Sequence, residues 1–231
     1  LVALLISIIA AGTRTTIAAT VMQQQAAVPV IKLKVPYFKQ QYPNSCEASA
    51  LRMALAYYGV KKNDVQILTQ FGYNPHYRDW VKNIWDDPQK QYVGHVDVTG
   101  KPFGGYGVYG LPVVRAAQNF KRQAEYATGT AITSNYLAKQ IELGYPVVIW
   151  GSTSITEPAY TWTTPEGVVV KAFKGEHART LVGLKGTSES PVGFYVHDPF
   201  NNKQYEYWKA EDLIAHMNAV PGVTEQAVVI K

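Results

Sequence analysis

The sequence predicts an α+β domain, in which helices pack on one face of an antiparallel sheet. Three observations support this class. The 231 residues are 47% hydrophobic and 17% charged, which is the composition of a globular chain with a sizeable core. Helical periodicity dominates the first half, and short β-branched and aromatic runs dominate the second half. Helices first and strands afterwards is the order typical of α+β proteins.

Helical periodicity predicts three helices ahead of the strands. The first carries apolar residues at helical spacing from Ala48 onward and ends at Gly59, a residue suited to the position after a helix. The second is expected over residues 113–123. The third follows Ser134 as its N-cap and stops at Gly144.

The second half of the chain predicts strands of one antiparallel sheet, interrupted by a short helix at 210–217. The expected strands cover residues 146–150, 168–173, 180–184, 192–196, 205–208 and 227–230.

Residues 92–111 carry six glycines separated by aromatic residues, a density that predicts no regular element. Two interpretations remain open. The segment is either a mobile wall that offers aromatic faces and backbone donors to an extended ligand, or a surface loop pinned by its aromatic side chains.

The first thirty residues differ in kind from the rest. Residues 1–12 form an uncharged apolar run that is too short to span a bilayer but suits the core of a secretory signal. A cleaved signal and an uncleaved anchor both remain open. We therefore assign residues 1–30 to a signal-like or anchor segment plus spacer, and residues 31–231 to one folded domain. The expected location is the cell envelope or exterior, with membrane contact only through this segment.

Charge and cysteine content narrow the classes of function. Lys plus Arg number 22 and Asp plus Glu number 17, so the net charge of +5 is a mild excess, and no run of five like charges occurs. We expect no nucleic-acid partner. The one cysteine, Cys46, excludes an internal disulfide and a multi-cysteine metal site. Any cysteine chemistry must be done by a single thiol.

Cys46 lies where the first predicted helix begins. Asn44 and Glu47 are in the register of an N-cap and its N3 partner, which places Cys46 in the first helical turn. The free amides and the positive end of the helix dipole there favour a thiolate. The alternative at this level is a small buried apolar residue, a common fate of free cysteine.

A thiol nucleophile needs a base, a group that orients the base, and donors for the oxyanion. His177 begins a predicted strand 131 residues after Cys46, within the interval of roughly 130 to 150 residues known from papain-like enzymes. Asp198 ends the next predicted strand and can accept a hydrogen bond from the imidazole. Gln40 can donate its side-chain amide to the oxyanion beside the Cys46 amide, and Gln41 is its rival.

A metal site is the alternative use of these residues. It would combine Glu176, His177, His197 and Asp198, but neighbours on a strand point to opposite faces and cannot converge without a bulge. We expect no metal and no cofactor. A serine hydrolase is disfavoured because no Gly-x-Ser-x-Gly motif is present.

Several short motifs, taken together, resemble the C39-like family of papain-fold cysteine peptidases over about residues 33–231. They are Val35-Pro36-Tyr37, Gln40, Asn44-Ser45-Cys46-Glu47-Ala48-Ser49, Tyr58-Gly59, Gly144 to Trp150, Gly175-Glu176-His177, Leu181-Val182-Gly183, Asp198-Pro199 and Glu225 to Ile230. The resemblance implies a papain-like fold with Cys46 as nucleophile, His177 as general base and acid, Asp198 as orienting residue and Gln40 in the oxyanion hole.

The sequence departs from the transporter-linked members of that family. Those peptidases carry Gly after the cysteine and cut leader peptides after a double glycine, whereas Glu47 follows Cys46 here. There is also no Walker motif and no polytopic membrane region. The chain is more similar to the stand-alone, exported bacterial branch, so the leader-peptide substrate is not carried over.

The expected function is therefore an exported cysteine peptidase that acts through a Cys46 thioester on a peptide or protein substrate. Two alternatives remain open at the level of sequence. The same thioester could serve a transpeptidase or amidase acting on envelope peptides, or the domain could be a catalytically silent module that binds peptide or wall fragments.

Overall fold

The structure, a computed structural model, describes residues 27–98, 104–153 and 159–231. The signal-like residues 1–26 lie outside these ranges. The first half contains β1 (Val30–Lys32), α1 (Cys46–Tyr57), α2 (Asp64–Gln70), β2 (Val93–Gly94), β3 (Gly105–Gly107), α3 (Gly110–Asn119), β4 (Ala124–Thr128) and α4 (Ser134–Glu142). The second half contains β5 (Val147–Ser152), β6 (Ala159–Thr163), β7 (Val169–Phe173), β8 (Glu176–Gly186), β9 (Pro191–Asp198), β10 (Lys203–Lys209), α5 (Ala210–Met217) and β11 (Gln226–Ile230).

A seven-stranded antiparallel sheet forms the centre of the domain. Its strands follow the order β10-β9-β8-β5-β11-β4, and β1 pairs with β8 outside this path. Strands β5 and β11 are buried at every position, as expected for strands covered on both faces.

Helices cover both faces of this sheet, so the prediction of a single covered face is wrong. Helices α1, α2 and α3 pack on the face that carries Val148 and Trp150. Helices α4 and α5 pack on the face that carries Val147 and Ile149. The reason lies in β5 itself, whose continuous apolar run offers a hydrophobic surface on each side instead of alternating with polar residues.

Helix α1 begins at Cys46, so this residue lies in the first helical turn as predicted, and the N-cap is Ser45. The predicted capping role of Asn44 is wrong: its side-chain amide donates to the carbonyls of His95 and Val98. At the other end Gly59 has φ +78°, the left-handed conformation that glycine adopts most easily after a helix.

The remaining elements differ from prediction in detail. Helix α3 begins three residues early, and the N-cap of α4 is Thr133, whose side chain accepts from the Tyr136 amide. Strands β1, β4 and β6 and helix α2 were not predicted. Strand β7 leaves the main sheet and pairs with β6 in a separate ribbon.

The glycine-rich segment at 92–111 contains the short antiparallel pair β2 and β3, so the prediction of no regular element is wrong there. Its described residues are held by hydrogen bonds. The indole of Trp150 donates to the Val108 carbonyl, and the Tyr109 hydroxyl donates to the Lys171 carbonyl. The described part is therefore pinned, and β3 brings Tyr106 to the wall of a cleft. Across the described ranges, no helix combines the length and apolar character needed to cross a bilayer.

Candidate active site

Cys46 is the first residue of α1, and its side chain is buried. The thiol donates to Glu47 Oε2 across 3.3 Å, and the backbone amide of Ala178 on β8 donates toward the sulfur. Burial, followed by the carboxyls of Glu47 and Glu176, raises the pKa of the Cys46 thiol well above its usual value. Desolvation and acidic neighbours therefore oppose the thiolate that a position at the start of a helix favours.

Glu47 turns into the protein instead of capping the helix. Its Oε1 accepts the Val108 amide at 2.9 Å, and its residue is fully buried. Gly107 leaves the space for this carboxyl, since a Cβ at that position would overlap Glu47 Oε1. Burial raises the pKa of Glu47 to about 7, so this carboxyl titrates near neutral pH.

His177 and Asp198 meet where strand β8 begins and strand β9 ends. His177 Nε2 lies 2.9 Å from Asp198 Oδ1, and both side chains are buried. Backbone amides of Phe200 and Asn201 also donate to the Asp198 carboxylate. Although burial alone would raise the pKa of Asp198, its hydrogen bond to His177 and the charge of Arg179 hold that pKa far below its usual range.

The tautomer of His177 follows from this arrangement. An ionised Asp198 can only accept, so Nε2 carries the proton and donates it to the carboxylate. Burial lowers the pKa of His177, despite the opposing hydrogen bond from Asp198, and the ring is neutral at neutral pH. The unprotonated Nδ1 is then the nitrogen able to take a proton from a thiol.

Arg179 is a site residue that the sequence reasoning missed. Its Nε donates to Asp198 Oδ2 at 3.0 Å, so Asp198 is held between His177 and Arg179. The signal was available, because residues two apart on a strand share a face. A basic residue two positions after the candidate histidine was therefore placed to reach the same carboxylate.

The two candidate glutamines have different surroundings. Gln40 lines the same cleft as Cys46, but its amide nitrogen donates to the carbonyls of Tyr42 and Pro43, at 2.9 and 2.8 Å. Its Oε1 is buried without a hydrogen-bond partner. Gln41 is bound to Asp64 through both its backbone amide and its side-chain oxygen, and it does not line the cleft.

His197 lies on the opposite face of β9 from Asp198 and is held by backbone groups. Its Nε2 lies 3.0 Å from the Val35 carbonyl and its Nδ1 accepts from the Tyr205 amide at 3.1 Å, which fixes a neutral tautomer. Over the described ranges, no three His, Cys, Asp or Glu side chains converge as a metal would require.

One cleft of about 380 Å³ is lined by both Cys46 and His177. A larger groove of about 1060 Å³ borders α5, but it contains neither residue. The cleft is lined by Gln40, Pro43, Asn44, Cys46, Tyr106, Thr153, Glu176, His177, Phe200 and Asn201. A buried thiol on a helix and an imidazole–carboxylate pair on a sheet, facing one cleft, form the kind of site found in cysteine peptidases.

The chain belongs to the Peptidase C39-like family, whose model matches residues 32–220. Its fold is the α+β fold of papain-like cysteine peptidases, as the sequence predicted. A crystal structure from Bacillus anthracis, assigned as a C39-like peptidase, is similar with a TM-score of 0.70 and 23% identity, covering 88% of this chain and 98% of that one.

Two further solved structures are less similar. Xylellain, a cysteine protease from Xylella fastidiosa, has a TM-score of 0.45 and 20% identity over 89% of this chain and 87% of its own. A double glycine motif protease from an AMS/PCAT transporter, in complex with the leader peptide, has a TM-score of 0.46 and 17% identity over 87% of this chain and 93% of its own. Among curated proteins, none matches the sequence.

Proposed function

We propose that this protein is an exported cysteine peptidase in which Cys46 is the nucleophile, His177 the general base and acid, and Asp198 the orienting residue. One observation carries the proposal: Cys46 and His177 line the same cleft, and the far nitrogen of His177 is bound to Asp198. The proposed reaction uses these groups and needs no metal or cofactor.

The first half of the reaction forms a thioester. His177 Nδ1 takes the proton of the Cys46 thiol, and the sulfur attacks the peptide carbonyl carbon. The negative charge that develops on the carbonyl oxygen is met by the backbone amide of Cys46, one of the first-turn amides that have no partner within α1. The protonated imidazole then gives its proton to the leaving amine as the peptide C–N bond breaks.

The second half releases the acyl group. His177 takes a proton from a water molecule, whose oxygen attacks the thioester carbonyl, and the C–S bond breaks. The imidazole returns its proton to the sulfur, which restores the thiol. Asp198 keeps the imidazole in one orientation and stabilises its positive charge in both halves.

The structure corresponds to a resting state with a neutral thiol. The Cys46 thiol donates to Glu47. Within the described part of the chain, no hydrogen bond joins the side chains of Cys46 and His177. Catalysis therefore requires the sulfur to turn from Glu47 to the imidazole. Gln40 can serve the oxyanion only if its amide leaves the Tyr42 or Pro43 carbonyl.

A peptide library tests the proposed activity. The full chain is incubated with peptides from a proteome digest, and new termini are identified by mass spectrometry. We expect cleavage by the wild type, none by Cys46→Ala, and a loss of about 10² to 10⁴-fold in His177→Ala. His197→Ala is the matched control and keeps most of its activity per folded molecule. The same cleavages in a pure Cys46→Ala preparation, or a larger loss in His197→Ala than in His177→Ala, would rule the proposal out.

The acceptor of the thioester is tested in the same assay. Hydroxylamine is added at increasing concentration, and the products are separated into free acids and hydroxamates. We expect free acids to dominate at low concentrations of the amine. Hydroxamates that dominate even at low concentrations of hydroxylamine would assign a transpeptidase or amidase instead.

Export is supported by the apolar run at 1–12 and is part of the proposal. Expression of the complete gene with a C-terminal tag, followed by fractionation and N-terminal sequencing, tests it. We expect the tagged protein outside the cytoplasm, either cut within the first thirty residues or retained on the membrane. Accumulation of uncut protein in the cytoplasm would contradict it.

A further inference from the structure

Two acceptor oxygens of the catalytic cleft lack a hydrogen donor within the described part of the chain. They are Glu176 Oε1 and Gln40 Oε1, and both atoms are buried. Buried acceptors are nearly always paired, so two unpaired ones beside a nucleophile indicate a ligand that brings donors. Gln40 cannot turn its amide around without losing two bonds to backbone carbonyls.

The neighbours of Glu176 do not satisfy its carboxyl. Arg179, whose charge lowers the pKa of Glu176, directs its Nε to Asp198. The Tyr106 hydroxyl, in the same cleft, is bonded to the Tyr109 hydroxyl at 2.8 Å. Burial, followed by the charge of Glu47, raises the pKa of Glu176 well above its usual value. The charge of Arg179 therefore does not outweigh burial and Glu47, and a bound cation would favour the ionised carboxyl.

We propose that Glu176 is a specificity-determining residue that binds a cationic group, an ammonium or guanidinium, of a peptide substrate next to the bond that is cut. Such groups carry only hydrogen donors, three in an ammonium and five in a guanidinium, and match unpaired acceptors. The aromatic rings of Tyr106 and Phe200 line the same cleft and suit a cation. The role of this site in binding a substrate rests on the proposed function, whereas the binding of a cation does not.

A bound cation would also affect the nucleophile. The carboxyls of Glu47 and Glu176 both raise the pKa of Cys46, so they favour its neutral thiol. A positive charge held by Glu176 offsets this effect and favours the thiolate. Cationic substrates are therefore expected to have a higher kcat and a lower KM than neutral substrates.

The single cysteine allows a direct test with thiol reagents of opposite charge. Aminoethyl methanethiosulfonate and sulfonatoethyl methanethiosulfonate each transfer their thioalkyl group to the thiolate, which forms a mixed disulfide and releases methanesulfinate. The two reactions share the same nucleophile, so their rate ratio does not depend on the pKa of the thiol. Because Cys46 is the only cysteine, mass spectrometry of the full chain follows each rate. The ratio is divided by that of N-acetylcysteine amide in the same buffer.

In the wild type we expect the cationic reagent to be favoured by about tenfold or more, as in clefts lined by one sign of charge. The preference should fall to within about threefold of the small thiol in Glu176→Gln and should persist in Glu176→Asp. Glu211→Gln is the matched control, because Glu211 is exposed on α5 outside the cleft and its loss removes the same charge.

A wild-type ratio equal to that of the small thiol overturns the inference, and this result needs no variant to fold. An unchanged preference in a Glu176→Gln protein that melts like the wild type overturns the assignment to Glu176. These outcomes are independent of turnover. Absence of Cys46-dependent cleavage in the peptide library counts against the peptidase, whereas cleavage without enrichment of Lys, Arg or a free amino terminus near the cut bond counts against the cation site.

Discussion

The thiol of Cys46 donates to the carboxyl of Glu47, its neighbour in sequence, across 3.3 Å. The carboxyl is anchored by the Val108 amide, so its position does not depend on the cysteine. Glu47 therefore competes with His177 for the thiol proton, and an ionised Glu47 repels a thiolate. In the proposed mechanism this relationship controls how readily the Cys46 thiolate forms.

Replacing Glu47 by Gln is expected to lower the pKa of the Cys46 thiol, because it removes a negative charge while keeping an acceptor for the Val108 amide. The measurement is the rate of iodoacetamide alkylation as a function of pH. We predict that the midpoint of the alkylation rate moves down by about one pH unit or more. One unit corresponds to about 1.4 kcal/mol of interaction between Glu47 and the thiolate. Glu211→Gln serves as the control for net charge. A midpoint that is unchanged or raised in Glu47→Gln contradicts this role.

The same variant changes how stability depends on pH. Burial raises the pKa of Glu47 to about 7, whereas the unfolded-state value is about 4.3. The contribution of Glu47 to the free energy of unfolding is therefore greatest below pH about 4.3. It is lost as pH rises through 7, which lowers the free energy of unfolding by on the order of 3 kcal/mol. Glu47→Gln lacks this loss. Titration of His177 occurs in both proteins. Because the charge of Glu47 also raises the pKa of Glu176, the difference reports Glu47 together with its effect on Glu176.

Chemical denaturation of both proteins from pH 4.5 to 8 tests this prediction. The free energy of unfolding of the wild type should fall relative to that of Glu47→Gln as pH rises. Parallel curves over this range would show that Glu47 titrates normally in the folded protein.

Arg179 is expected to be a positioning residue that acts through Asp198. Arg179→Met removes a positively charged partner of the buried Asp198 carboxylate, which keeps its hydrogen bonds to His177, Phe200 and Asn201. Breaking a buried ion pair costs about 3 to 5 kcal/mol in comparable sites. Adding Asp198→Asn to Arg179→Met should recover part of this stability, because it removes the uncompensated charge. If the stability losses of Arg179→Met and Asp198→Asn simply add in the double variant, the proposed coupling between Arg179 and Asp198 is contradicted.

A second readout separates positioning from stability. At temperatures where Arg179→Lys is folded, its kcat should fall while KM changes little, because the imidazole is oriented less well. Asp198→Asn should lose less turnover than His177→Ala. A purely structural role for Arg179 predicts unchanged kcat per folded molecule.

Gln40 and Gln41 form a matched pair for the oxyanion hole. Gln40→Ala is expected to lower kcat by about 10² to 10³-fold if its amide turns to the oxyanion during the reaction. Gln41→Ala removes a hydrogen bond to the Asp64 amide and should affect stability instead. Steady-state kinetics and thermal unfolding of both variants distinguish the roles. Equal kcat values for Gln40→Ala and wild type would show that Gln40 does not donate to the oxyanion. The backbone amide of Cys46 would then remain as the proposed donor.

Sequence patterns predicted the parts of the site that depend on strand order and alternation. Neighbouring antiparallel strands bring His177 to Asp198. Cys46 lies in the first turn of α1, as predicted, although the Asn44 cap from which this was argued does not form. Arg179 follows from the same alternation and could have been predicted. The packing of helices on both faces of the sheet could also have been predicted from the continuous apolar run of β5.

Other features depend on contacts between distant segments. A local capping rule placed Glu47 at the helix N-terminus, but the carboxyl finds the Val108 amide 61 residues away. The Ser45 hydroxyl is likewise bound to Asp64 instead of capping the helix. Local sequence did not contain these partners, so the raised pKa of Cys46 was not predictable from its position in the helix.

The most direct test of the proposed site is the alkylation rate of Cys46 by iodoacetamide in wild type, His177→Ala and His197→Ala at pH 7. If His177 takes the thiol proton, the wild type should react about tenfold faster or more than His177→Ala, and His197→Ala should react like the wild type. Equal rates in wild type and His177→Ala would show that the imidazole does not act on the thiol, and would contradict Cys46 and His177 as a catalytic pair.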